Sequence, residues 1–163
     1  MGSSGECGCA NRPLRQTGEK GSGGDVLFVG AFERQLDDKG RLALPAAFRD
    51  RLGEHCYLAK GLDKSVSVVP AATFEEEAAV MAARVRNGEI SRDVLRALAA
   101  SAELVALDKQ GRVKVGDSLR QYAELPLSGA VMVAGSFDRL EIWTPARYEL
   151  VNEAGTESMA GGA

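Results

Sequence analysis

Histidine is nearly absent from the chain. His55 is the only one, and no Ser/His/Asp set is recognisable around it. It follows a helix end beside Glu54 and reads as a surface or cap residue. Cysteine is scarce too. Cys7 and Cys9 lie in a Gly/Ser-rich tail and Cys56 stands alone in an apolar segment, so no disulfide framework is expected. Cys7 and Cys9 lack further ligands at zinc spacing, so no metal site is expected either. No apolar run approaches the length that crosses a bilayer, and no secretory signal is evident. A glycine loop of the phosphate-cradling type is missing. The acidic trio Glu75–Glu77 opens a helix, where it suits the macrodipole without any catalytic role. These gaps point away from an enzyme, a metalloprotein, a cofactor binder and a membrane protein. They fit a reduced, cytoplasmic chain without a small-molecule ligand.

An excess of positive charge is also lacking. The formal net charge is −3 over 163 residues. The acid is unevenly placed, since Glu149, Glu153 and Glu157 follow one another near the C-terminus with no base among them. Setting aside residues 1–25 and 149–163 leaves 17 basic and 17 acidic side chains. Any polyanion must therefore meet a local cluster of cations. One such cluster is present: Lys109, Arg112, Lys114 and Arg120 face only Asp108 and Asp117.

What the chain does have is a phrase written twice. "LDDKGRLALPAAFRDRL" begins at Leu36 and "LDKQGRVKVGDSLRQYA" at Leu107. Asp37 and Asp108, Gly40 and Gly111, Arg41 and Arg112, and Arg49 and Arg120 are each 71 residues apart. Leu42, Leu44 and Phe48 match Val113, Val115 and Leu119. Two copies are too few for a solenoid and suit a duplicated half-domain. In each copy, alternating apolar residues (Phe28, Phe32, Leu36; later Leu104 to Leu107) predict a strand. An Asp then bonds the local backbone, and a Gly takes the positive φ of a tight turn. Leu42 and Leu44, or Val113 and Val115, return as a second strand, which predicts a hairpin. Pro45 fits the first turn of a short helix that buries Phe48 and Leu52 and stops at Gly53, and Asp117 is expected to cap its counterpart. A further hairpin closes each copy, and Thr144 with Pro145 opens a last helix. Between the copies, Thr73 and Glu76 fit a capping box, Phe74, Met81 and Val85 form a stripe, and Ser91 opens a second helix.

The expected organisation is a disordered extension at 1–25, a first repeat at 26–81, a helical linker at 82–100, a second repeat at 101–151 and a disordered tail at 152–163. In physical terms, each Arg leaves the return strand near a turn whose backbone an Asp ties down. A two-stranded β-ribbon fits the major groove, where an Arg bonds guanine O6 and N7 in a bidentate manner. Arg41 and Arg112 are the candidates for base reading, in the frame of Asp37, Gly40, Asp108 and Gly111. Lys39 and Lys109 on the turns suit phosphates. Arg34, Arg49, Lys114 and Arg120 are weaker candidates for DNA contact. The competing reading pairs each Asp with its own Arg as a surface ion pair of about 0–1 kcal/mol.

The stretches "FVGAFERQLDDKGRLALPAAFR", "LDKQGRVKVGDSLR" and "VMVAGSFDRLEIW" resemble the MraZ family of bacterial transcriptional regulators, over roughly residues 26–151. The paired D-x-x-x-R, Asp37 to Arg41 and Asp108 to Arg112, is the hallmark. The resemblance implies an α+β, β-rich fold of the AbrB/MazE class: two tandem halves forming a pseudo-twofold swapped-hairpin barrel with flanking helices. It implies ring-like homo-oligomers on double-stranded DNA, at direct repeats in the promoter of the division and cell-wall gene cluster. It also implies repression and a nucleoid-associated, cytoplasmic protein. Two positions depart from the family pattern: Gly116 stands where proline is usual, and Arg34 where histidine is frequent. Relatives begin almost at the first strand, so residues 1–25 are expected to be a tag remnant or an extension ahead of a start at Val26. Two rivals remain at this stage, a ring-forming interaction scaffold and an AbrB-like antitoxin with incidental DNA contact.

Overall fold

Alternation places the first strand as expected. Phe28 and Leu36 are fully buried and Phe32 packs against the core, while Glu33 and Gln35 between them stay exposed. This strand is β1 (Ala31–Gln35) in the computed structural model of the chain, which describes residues 27–161. The expected N-terminal extension lies outside the described residues.

The first half continues with β2 (Arg41–Ala43), α1 (Ala46–Leu52), β3 (His55–Lys60) and β4 (Val66–Pro70). Two helices follow, α2 (Ala71–Arg86) and α3 (Arg92–Ser101). The second half repeats the order with β5 (Glu103–Ala106), β6 (Arg112–Lys114), α4 (Asp117–Ala123), β7 (Ala130–Gly135) and β8 (Leu140–Trp143), and α5 (Pro145–Met159) closes the chain. The architecture is α+β. No helix among the described residues is long and apolar enough to cross a membrane.

The pairing of strands binds the halves together. One antiparallel sheet runs β1-β7-β8-β4-β3-β5, and β2 pairs with β6 in a separate two-stranded ribbon. Exchanging each strand for its counterpart in the other half reads the six-stranded order backwards. The first strand of each half lies on the third strand of the other, as Phe32 on Val133 and Val105 on Cys56 show. Among the described residues the six strands do not close on themselves, and β1 and β5 are the edges. The hairpin expected between β1 and β2 is reduced to a single bridge, Leu36 to Leu42. Alternation reports which face is buried but not which strand lies alongside. Leu42 is buried beside Val113 of the other half.

A single core results. Phe28, Leu36, Leu42, Phe48, Leu58 and Val68 pack in one cluster with Val113, Leu119, Val131, Val133 and Ile142. Phe48 meets Phe28 and Phe32 edge-on, with ring centroids 5.9 and 5.3 Å apart. The α2 and α3 helices lie outside this core. Neither buries a residue fully, and Phe74 stacks on Tyr57 at 4.2 Å.

Several local expectations are corrected. β4 runs directly into α2, whose N-cap is Pro70, so Thr73 lies inside the helix and forms no capping box. Glu75, Glu76 and Glu77 thus fall beyond its first turn. Gly116, not Asp117, is the N-cap of α4. Ser91 and Thr144 cap α3 and α5 as expected. The tail expected to be disordered from residue 152 instead continues α5 to Met159. The first turns of α5 lie against β7, with Arg147, Tyr148 and Val151 half-buried, and the turns beyond them are exposed.

Candidate nucleic-acid interface

Both turns close on the same set of bonds. Asp37 Oδ1 accepts from the backbone N–H of Lys39 at 2.9 Å and of Arg41 at 2.8 Å, and Oδ2 accepts from Arg41 Nε at 2.7 Å. Asp108 Oδ1 accepts from Gln110 and Arg112 N–H, both at 2.9 Å, and Oδ2 from Arg112 Nε at 2.8 Å. The amides of Gly40 and Gly111 return to the carbonyls of Asp37 and Asp108. Gly40 has φ 78° and Gly111 φ 71°, the left-handed region that disfavours any side chain.

The Asp–Arg pairing weighed from the sequence is therefore formed in both copies. It occupies only Nε. Nη1 and Nη2 of Arg41 and Arg112 have no hydrogen-bond partner among the described residues, and the two side chains remain 34% and 27% exposed. A guanidinium held by Nε presents its two terminal nitrogens as a fixed fork.

The ribbon brings the two arginines together. Its register sets Arg41 opposite Lys114, Leu42 opposite Val113, and Ala43 opposite Arg112. Leu42 and Val113 face the core with no exposure, so Arg41, Ala43, Arg112 and Lys114 form the other face. Three of its four residues are cations, and the Asp37 and Asp108 carboxylates adjoin it, each held on the Nε of its own arginine. The sequence suggested one reading hairpin per copy, whereas the structure builds one ribbon from both. Ala43 is a member that sequence reasoning missed, since nothing marks it until β6 is placed beside it. Lys39 and Lys109 are exposed on the turns.

The weaker candidates separate into three kinds. Lys114 belongs to the ribbon face. Arg34 lies on β1, 5.5 Å above the Phe32 ring, and donates to the Glu33 carbonyl. Arg49 and Arg120 lie over the turns, each over that of the opposite half. Arg49 Nη1 donates to the Gln110 carbonyl at 3.3 Å, and Arg120 Nη2 pairs with Asp117.

The turn carboxylates titrate low. The Arg41 amide, with the Arg41 guanidinium and the Lys39 amide, holds Asp37 below the usual carboxylate range. The Arg112 amide, with its guanidinium and the Gln110 amide, does the same for Asp108. A carboxylate with a depressed folded pKa adds stability above its unfolded value, about 3.9, and loses it as pH falls through the folded value. The amide resonances of Arg41 and Arg112 should therefore stay unchanged from neutral pH to about 4 and shift only below it. A midpoint above the ordinary carboxylate range would refute this picture of the turns.

Comparison with known proteins agrees with the duplicated architecture. A family profile described as "MraZ protein, putative antitoxin-like" matches residues 27–95 and again 98–160. A Nocardioides protein named "Transcriptional regulator MraZ" is 44% identical over 121 residues, covering 74% of this chain and 83% of its own. Proteins of the same name from Corynebacterium kroppenstedtii and a Mycobacterium species are 40% and 39% identical. They cover 83% and 82% of this chain, and 94% and 92% of their own.

Proposed function

The chain belongs to the MraZ family, and from that premise we propose that it is a sequence-specific DNA-binding regulator of transcription whose reading element is the β2–β6 ribbon. The observation that carries this reading is the ribbon's outward face. Two guanidinium forks and Lys114 lie on a two-stranded antiparallel ribbon, the shape that a major groove about 12 Å wide admits. Arg41 and Arg112 read base edges, while Lys39, Lys109 and Lys114 meet phosphates and fix the register.

In the same reading the target is a set of direct repeats in the promoter of the division and cell-wall gene cluster, bound by a ring of subunits that represses it in the cytoplasm, at the nucleoid. Several weak contacts per ring offset the chain's neutral middle through effective concentration. Strand exchange between halves within one chain would be the single-chain counterpart of an intertwined dimer of swapped hairpins.

The test is selection from randomised duplex DNA by the full chain, followed by titration over a range of salt. One recurrent motif and a steep salt dependence are expected. Lys109→Gln should keep the motif and lower the slope of log K against log salt by about 0.9. Recovery of no motif would leave the scaffold reading, for which the partly exposed α2–α3 pair offers Phe74, Met81, Leu95 and Leu98 as an apolar seam.

A further inference from the structure

We propose that Arg49 and Arg120 are positioning residues for base reading, each seating the turn of the opposite half. The proposal rests on the ribbon reading above and assigns to these two side chains a role other than phosphate contact.

The geometry is crosswise. Arg49 leaves α1 in the first half and lies across Gly111 in the second. A Cβ on Gly111 would overlap the Arg49 side chain, coming within 2.9 Å of Nε. Arg49 Nη1 then donates to the carbonyl of Gln110, the residue before that glycine. Arg120 leaves α4 in the second half and lies across Gly40 in the first. A Cβ on Gly40 would meet Arg120 Nε at 3.4 Å and Cδ at 3.6 Å. The glycine carbonyls are tied to the opposite half as well. Gly111 O accepts from Leu44 N–H at 3.2 Å, and Gly40 O accepts from Val115 N–H at 2.8 Å. Each turn is thus held through its glycine by a strand end and by an arginine stem, both from the other half.

The same arginines are poorly placed for phosphates. Both Nε atoms are buried and have no hydrogen-bond partner among the described residues. Arg120 is 15% exposed, and Asp117 neutralises its Nη2. Cδ of Arg49 makes the closest side-chain approach to Gly111, and Nε with Cδ of Arg120 makes the closest side-chain approach to Gly40, so the inner part of each side chain lies over the glycine. Loosening such a stem lets the glycine peptide shift, and the Asp–Arg bonds shift with it. The fork that moves belongs to the opposite half: Arg112 when Arg49 is lost, and Arg41 when Arg120 is lost.

The experiment is selection from randomised duplexes by the full chain, with salt titration and thermal melts in parallel. Arg41→Ala and Arg112→Ala first define which base positions each fork reads. Arg49→Ala should then lower discrimination at the Arg112 positions at least about fivefold and spare the Arg41 positions. Arg120→Ala should do the reverse. Salt slopes should match wild type in both. Arg49→Met keeps the stem over Gly111 and should retain most of the discrimination, even if the alanine variant folds poorly. A purely structural defect would weaken all positions alike, without the crossed pattern, and would overturn the proposal. A salt slope lower by about 0.9 with the motif unchanged would make these arginines phosphate contacts and would equally overturn it. If Arg41→Ala and Arg112→Ala both select the wild-type motif, the ribbon reading itself fails, and the positioning role falls with it.

Discussion

Arg112→Ala is expected to weaken specific DNA binding by about fivefold to a hundredfold or more while leaving the fold intact. A bidentate arginine on guanine discriminates by roughly 1–3 kcal/mol, which sets that range. The cost to stability should be small. The Arg112–Asp108 pair is partly exposed, and such pairs contribute at most about 1 kcal/mol. The turn does not depend on it, because Asp108 Oδ1 still accepts from the Gln110 and Arg112 backbone N–H groups. Arg41→Ala should follow the same pattern with a smaller loss of affinity. Arg41 and Arg112 are equivalent about the Leu42–Val113 pair, but their neighbours differ. Lys114 stands opposite Arg41 and keeps a cation there, whereas Ala43 stands opposite Arg112 and leaves none. Arg112→Lys should retain non-specific, salt-sensitive binding and lose the base preference, since an ammonium cannot reproduce the fork. Equilibrium binding to a selected duplex and to a scrambled one measures both terms. Wild-type affinity and preference in both alanine variants would refute base reading by the ribbon.

The turns were the most legible part of the molecule because the Asp-centred bonds that close them lie within five residues. Asp37 to Arg41 contains the acceptor, the positive-φ glycine and the guanidinium, and the bonds follow the spacing. Burial faces were legible for a related reason. Phe28, Phe32 and Leu36, like Phe48 and Leu52, record the period of their own element. What could not be read is what crosses between the halves. No local pattern says that β2 leaves β1 for β6, so the ribbon face with Ala43 and Lys114 was invisible as a unit. The contacts of Arg49 and Arg120 were hidden for the same reason, since they are with turns about 60 to 80 residues away in the chain. The continuation of α5 was missed because "NEAGTESM" lacks the apolar stripe that marks a packed helix. Its start lies instead in the Thr144–Pro145 cap, and the face that rests on β7 belongs to the turns before residue 152.

Phe48→Ala should cost about 3–5 kcal/mol and should destabilise both halves at once. Phe48 is 1% exposed, meets two aromatic rings edge-on and sits in α1, so nothing at the surface can fill the space it leaves. Against a typical total of about 5–15 kcal/mol, that loss consumes a large part of the folding free energy. Its reach follows from the strand order. Phe32 in β1 packs on the Phe48 ring, yet β1 hydrogen-bonds to β7 of the second half, and the cluster around Phe48 includes Val113, Leu119 and Val133. A void at Phe48 therefore weakens second-half strands as directly as first-half ones. Leu119, 71 residues later, occupies the equivalent place on α4, and Leu119→Ala should cost about 2–5 kcal/mol with the same global effect. Urea unfolding followed by circular dichroism and by Trp143 fluorescence checks this. Trp143 lies in the second half, so its signal must move with Phe48→Ala if the core is shared. Two separated transitions, with the Trp143 signal unmoved by the first-half substitution, would mean that the halves fold as independent domains. The two guanidinium forks would then have no common frame to hold them in register.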